Sequence, residues 1–260
     1  MNKTCLLGYT GFVGTTLLTQ TNFNDLYNSS NIKSIEDKEY GLVVCAAAPA
    51  VKWKANQAPL EDLDNINSLI ESLKKVKAEM FVLISTVDVY MNPINVDEDS
   101  KIDPETIDPY GRHRYYLEQF VRDNFKNYSI IRLPGLFGKG LKKNFIYDLI
   151  NSNTLELTHY QSEFQFYNMC NLWNDIQIAL NNSLSLVNFS TEPVSASEIA
   201  RNSTGNLFLN ETVKNPVFYN MKSKYANLFN SEAEEGYMKS KEEIIREISV
   251  FIECEKRLLQ

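Results

Sequence analysis

Four short apolar runs constrain the fold more than any other feature of this chain: Thr4-Cys5-Leu6-Leu7, Leu42-Val43-Val44-Cys45-Ala46, Met80-Phe81-Val82-Leu83-Ile84 and Ser129-Ile130-Ile131-Arg132-Leu133. They show almost no polar alternation, which suits strands covered on both faces, the condition of a parallel sheet flanked by helices. Between them the period changes. Residues 63–77 carry Leu63, Ile66, Ile70, Leu73 and Val76 at helical spacing, and residues 115–125 repeat the pattern through Tyr116, Phe120, Val121 and Phe125. Strands alternating with helices predict an α/β, doubly wound fold.

The alternation weakens after Gly140. Helical segments recur near residues 144–150, 172–180, 195–201 and 241–255, with short irregular strands between them, and Val187-Asn188-Phe189-Ser190 reads as a strand returning to the first lobe. The expected division is a dinucleotide-binding domain over residues 1–140 and a small C-terminal α/β substrate lobe over 141–260, with segments returning to the first. No internal repeat or low-complexity linker separates the two.

Composition removes several function classes. With 26 Lys and Arg against 33 Asp and Glu, the formal charge is −7, so the chain repels polyphosphate and no nucleic-acid partner is expected. No apolar run approaches the roughly 20 residues that cross a bilayer, and no signal peptide is evident, so no membrane partner is expected either. Cys5, Cys45, Cys170 and Cys254 have no CxxC spacing, and His113 and His159 no HExxH pattern, so no metal site is predicted. Cys5 and Cys45 read as small hydrophobes inside strands, in keeping with a reducing, cytoplasmic location.

Immediately after the first apolar run stands Gly8-Tyr9-Thr10-Gly11-Phe12-Val13-Gly14, a GxxGxxG spacing at the opening of a helical segment. Glycines there let the backbone turn sharply, bring a pyrophosphate close to main-chain amides and allow the new helix to pack on the strand. The second strand is followed by Asn28-Ser29-Ser30-Asn31-Ile32, uncharged until Lys33. Asn28, Ser29 and Ser30 are candidate contacts to the adenosine ribose. The absence of a carboxylate leaves NAD and NADP both open, with a lean to NADP.

Taken in order, Gly8-x-x-Gly11-Phe12-x-Gly14, Ala46-Ala47-Ala48, Ser85-Thr86-x-x-Val89-Tyr90, Tyr110-Gly111 and Arg132-Leu133-Pro134-Gly135-Leu136-Phe137-Gly138 resemble the extended short-chain dehydrogenase/reductases, the NAD-dependent epimerase/dehydratase family. Ala46-Ala47-Ala48, Lys54-Ala55 and Pro59 look especially like the dTDP-4-dehydrorhamnose reductase branch, whose members are sugar-nucleotide reductases. The resemblance implies a Rossmann-type sheet, an NAD or NADP cofactor and a nucleotide-sugar substrate. It implies an oxidoreductase or epimerase of polysaccharide or glycan-precursor synthesis, and a homodimer.

By that resemblance Thr86 orients the substrate oxygen and Tyr110 transfers the proton, while Ala46, Ala47, Ala48, Pro134 and Gly135 line the cofactor and Asn65 supports a water chain beside it. The family's lysine, four residues after the tyrosine, is here Arg114, expected to fix the nicotinamide ribose. Arginine keeps charge and donors but cannot relay a proton. A catalytically silent NAD(P)-binding sensor or scaffold is the competing expectation. The pattern Thr86-Val87-Asp88 lacks the first of the paired acids that dehydratases carry, which argues against water elimination. The Lys139, Lys142 and Lys143 stretch before a helix near Asn144 is a candidate diphosphate grip, and Phe164, Phe166, Tyr167 and Trp173 are read mainly as core.

Overall fold

A computed structural model describes residues 3–233 and 235–258. In chain order the elements are β1 (Thr4–Leu7), α1 (Phe12–Gln20), β2 (Asp25–Tyr27), β3 (Glu39–Cys45), α2 (Lys52–Gln57), α3 (Pro59–Leu73), β4 (Lys77–Thr86), β5 (Ile94–Val96), α4 (Pro109–Asn124) and β6 (Tyr128–Leu133). Then come β7 (Gly135–Phe137), α5 (Phe145–Asn151), β8 (Glu163–Phe164), β9 (Phe166–Asn168), α6 (Leu172–Asn181), β10 (Leu186–Asn188), β11 (Val194–Ser195), α7 (Ala196–Thr204), β12 (Asn220–Met221), α8 (Ala226–Phe229) and α9 (Lys241–Leu258).

The chain forms two units. The first runs up to Asn92 and adds Ser100–Leu133 and Leu172–Val187; the second holds Pro93–Asp99, Pro134–Asn171 and the chain from Asn188 onward. Thus the chain enters the second unit at Pro93, again at Pro134 and again at Asn188, and α6 belongs to the first.

The first unit is built on a six-stranded sheet in the order β10-β6-β4-β3-β1-β2. β1 pairs in parallel with both β2 and β3, β3 with β4, and β4 with β6. After β1 the chain moves to one side to form β2, then crosses back to form β3. The strand order therefore reverses beside β1, and in open α/β sheets the crevice outside the carboxyl ends at such a reversal is where ligands bind. Cys5, Leu7, Val43, Cys45, Phe81, Leu83 and Ile130 from the strands pack with Ile66, Ile70 and Leu73 of α3 and Leu117 and Val121 of α4. Burial of side chains of this size contributes about 1.5–3 kcal/mol each. Inside that core Cys45 behaves as a hydrophobe, its thiol pushed up to about 11 by burial.

Two boundaries differ from the sequence pattern. α3 starts at Pro59, which suits the first helical position, and ends at Leu73, so Val76 leads into the next strand instead of closing the helix. α4 begins at Pro109, well before residue 115, and takes Tyr110 into its first turn.

The second unit has its own core, where Phe137, Phe145, Ile146, Phe166, Val194 and Ile199 meet Ile244, Ile248 and Ile252 of α9. A capping box joins Ser195 and Glu198 at the start of α7, and Gly205 ends that helix at φ 72°. Phe166 and Tyr167 are buried, and Phe164 stacks on Phe145 with ring centres 6.2 Å apart, so these aromatics are core. Trp173 lies in the first unit, edge-on to Phe23 at 5.8 Å. No helix among the described residues is long and apolar enough to cross a membrane.

Candidate active site

The glycine turn is shaped by close backbone approach. Gly8 has φ +81°, and a Cβ on it would overlap the Ala46 carbonyl oxygen at the end of β3; a Cβ on Gly14 would overlap the Gly8 carbonyl oxygen. Any side chain at either position would push α1 away from the strand ends. Gly11 is different: it is exposed, and a Cβ there would find only the Gly8 oxygen, at 3.4 Å. It caps α1 without a side chain to accept from the first turn, so the amides of Phe12, Val13 and Gly14 have no acceptor within the helix. This open, glycine-walled turn at the sheet reversal fits the pyrophosphate of a dinucleotide.

At the end of β2 the predicted ribose contacts divide. The Asn28 Oδ1 accepts from the Ser30 amide (2.9 Å) and hydroxyl (2.6 Å), and its Nδ2 donates to the Tyr9 hydroxyl (3.2 Å), so Asn28 braces the turn. Ser29 and Ser30 are exposed there, as is Thr10 on the glycine turn. Ala46, Ala47 and Ala48 follow β3 and are half-buried beside Gly8.

Thr86 is the last residue of β4 and caps a short 3-10 turn, accepting from the Asp88 amide at 3.2 Å. Tyr110, in the first turn of α4, lies close enough to Thr86 for that hydroxyl to favour the ionised phenol. Two features bring the elements together. Gly111 leaves no Cβ where one would overlap the Asp88 carbonyl oxygen and strike Ile107. Asn56 of α2 accepts from the Tyr110 amide at 3.0 Å, acting as a helix cap supplied from elsewhere in the chain. Behind them, the fully buried Glu118 of α4 accepts from the Ser85 hydroxyl (2.6 Å) and from Arg132 Nε (2.9 Å) and Nη2 (2.6 Å), while Arg132 Nη1 reaches the Tyr90 hydroxyl at 2.8 Å. The strand end bearing Thr86 and the helix bearing Tyr110 are thus tied at a second point.

The Tyr110 phenol is buried, and that burial pushes it above the ordinary tyrosine range. Arg114 and Lys52 pull it down, as does the Thr86 hydroxyl; Asp88 pushes it up. Lys52 of α2 and Asp88 form an ion pair at 2.6 Å.

Arg114, the residue expected at the nicotinamide ribose, is turned toward the protein. It is 3% exposed and faces protein acceptors: both oxygens of Asp62 in α3, the Pro49 carbonyl and the Tyr110 carbonyl. Its guanidinium carbon lies 4.1 Å from the centre of the Tyr110 ring. His113 is likewise buried, with Nδ1 2.7 Å from Asp62 Oδ2.

Asn65 is exposed on α3; the amide that reaches Tyr110 is Asn56. Pro134 and Gly135 fall in the second unit, where a Cβ on Gly135 would press on the Phe166 ring at 2.9 Å, so packing accounts for that glycine. At the start of α5 the Asn144 Oδ1 accepts from the amides of Ile146 and Tyr147, so those two amides are satisfied within the chain. Among the described residues, no three His, Cys, Asp or Glu side chains are grouped to hold a metal ion.

The reading of the residues missed Asn56, Asp62, Lys52 and Glu118. Only Glu118 had a usable signal: it lies four and eight residues after Arg114 and Tyr110, on the same helix face.

Residues 17–161 match the model of the NAD dependent epimerase/dehydratase family. No curated protein matches the chain. Among solved structures, it is similar to the dTDP-4-dehydrorhamnose reductase of Clostridium acetobutylicum ATCC 824, with 16% identity over 97% of this chain and 99% of that one and a TM-score of 0.72. The dTDP-4-dehydrorhamnose reductase of Bacillus anthracis str. Ames in complex with NADP gives 18%, 96%, 98% and 0.73. MoeE5 in complex with UDP-glucose and NAD gives 18%, 99%, 100% and 0.70. At these identities the likeness is one of fold.

Proposed function

This chain belongs to the NAD dependent epimerase/dehydratase family, and from that premise we propose that it is a sugar-nucleotide reductase or epimerase working in polysaccharide or glycan-precursor synthesis. The cofactor is NAD or NADP: the family is NAD dependent, and the similar structures hold one or the other. The observation that carries the reading is the Thr86–Tyr110 pair at the carboxyl end of β4, in the same unit as the open glycine turn.

The amides around Gly11 hold the pyrophosphate, and Gly8 and Gly14 keep α1 close enough to present them. Ser29 and Ser30 stand at the ribose end, and Ala46, Ala47 and Ala48 leave room beside the turn. The bound nicotinamide supplies or accepts the hydride at the reacting carbon. Thr86 fixes the oxygen on that carbon and Tyr110 moves its proton. Burial favours the protonated phenol, the form that donates a proton to a carbonyl oxygen when that oxygen is reduced. A nucleotide-activated sugar is supported by the UDP-glucose of MoeE5 and by the reductases to which the chain is similar.

Calorimetry with NADH and NADPH, followed by nicotinamide absorbance with a panel of keto sugar nucleotides, tests the reading. Tight binding of one cofactor and its oxidation by a UDP-, dTDP- or GDP-linked keto sugar is expected. A chain that binds neither cofactor overturns it, and binding without turnover on any of the panel leaves the silent sensor or scaffold.

A further inference from the structure

Asp62 sits where it can govern the proton-carrying group without touching it. Arg114 has four Nη hydrogens, and four protein acceptors face them: Asp62 Oδ1 and Oδ2, the Pro49 carbonyl and the Tyr110 carbonyl. The buried Nε finds no acceptor. Asp62 Oδ2 also meets His113 Nδ1, so one carboxylate gathers two neighbouring residues of α4 onto α3. Asp62, His113 and Arg114 are all at most 5% exposed. Water does little to screen charge there, so the field that Arg114 exerts on the ring 4.1 Å away depends on how far Asp62 offsets it.

We propose that Asp62 is a positioning residue of the site: it locks the Arg114 guanidinium against Tyr110 and balances its charge, and thereby governs how readily Tyr110 gives up its proton. The proposal rests on Tyr110 being the proton carrier. Two consequences follow for the site. Arg114 holds its place while cofactor binds, and ribose contacts come from other groups. The phenol answers to a carboxylate–guanidinium pair instead of a bare cation. The other charged groups near the phenol are Asp88, on the turn after β4, and Lys52, on α2, which pair with each other; His113 of α4 faces Asp62.

The test reads the phenol directly. In protein carrying 13C-labelled tyrosine, the Tyr110 signal, assigned by its absence in Tyr110→Phe, is titrated in wild type, Asp62→Asn and Asp62→Glu. An uncompensated cation at this range lowers a neighbouring acid by about one unit or more. The Asp62→Asn midpoint should therefore fall by at least that much, tenfold in acidity, while Asp62→Glu stays close to wild type. A midpoint unmoved by Asp62→Asn overturns the proposal.

Should Asp62→Asn fail to fold, the wild-type chain decides alone. The Arg114 Nη hydrogens should give separate, slowly exchanging NMR signals with and without NADPH, and their averaging or loss when cofactor binds overturns the clamp. Neither readout needs turnover. If no sugar nucleotide reacts yet the midpoint moves, the functional reading fails and the role of Asp62 stands.

Discussion

Arg132 and Arg114 are both almost wholly buried in the first unit, and each is held by a single carboxylate, Glu118 or Asp62. Their surroundings differ. Glu118 also accepts from Ser85, and Arg132 also donates to Tyr90, so that network joins β4, α4, β6 and the turn after β4. The Asp62 pair joins α3 and α4, adds His113, leaves Arg114 Nε without an acceptor and lays the guanidinium on the Tyr110 ring. The same buried-pair chemistry serves as a tie in one place and, on the proposed function, as the wall of the reacting group in the other. Damage to the first should therefore register in folding, and damage around the second in chemistry.

The widest separation between the two regions should come from Tyr110→Phe. Loss of a positioned acid costs about 10²–10⁴-fold in turnover, whereas melting and cofactor affinity should scarcely move. Glu118→Gln should do the reverse. It leaves Arg132 as a buried charge without its carboxylate, costing about 3–5 kcal/mol of stability in a denaturant titration, and cofactor affinity should change little in whatever fraction stays folded.

Gly111→Ala probes the boundary between them, since its Cβ would overlap the Asp88 carbonyl oxygen. Overpacking of this kind costs about 1–3 kcal/mol, and turnover should fall with it because Tyr110 is displaced from Thr86. Asn56→Ala removes the acceptor at the Tyr110 amide and should cost about 1 kcal/mol, read by thermal melting.

The mildest probe is pH. Burial raises the phenol above the ordinary value of about 10, so the folded chain favours its protonated form. That contribution to stability is complete below the unfolded value and is lost as pH rises through the folded one. The velocity of carbonyl reduction, followed by nicotinamide absorbance, should accordingly stay level through neutral pH and drop only on the alkaline side. A drop near pH 7 would point to a group other than Tyr110.

Much of the first unit was legible because a parallel sheet writes its strands as unbroken apolar runs. Each of the four runs became a strand of the six-stranded sheet, and the GxxGxxG spacing fell at the sheet reversal. Ordered motifs single out Thr86 and Tyr110, and the fold brings the two side chains near each other. Asp62 could not, because an aspartate in the first turn of a helix reads as a solvated end, and only the packing of α3 on α4 shows that it is buried. Asn56 was hidden for a related reason: it caps a helix more than fifty residues away, and local spacing carries no trace of such a pairing. The second unit was less legible because its strands are two or three residues long, too short to set a period.

The excursion of Pro93–Asp99 bears on how this protein can be taken apart. β5 pairs in parallel with β12, and Glu98 accepts from the Asn188 amide, the Ser223 hydroxyl and the Lys224 amide. A gene divided after the codon for Leu133 would give a front fragment without α6 and β10, and a rear fragment whose β12 had lost its neighbour. No single cleavage point yields two intact halves, and anyone wishing to graft or exchange the rear portion must carry the short early segment along with it.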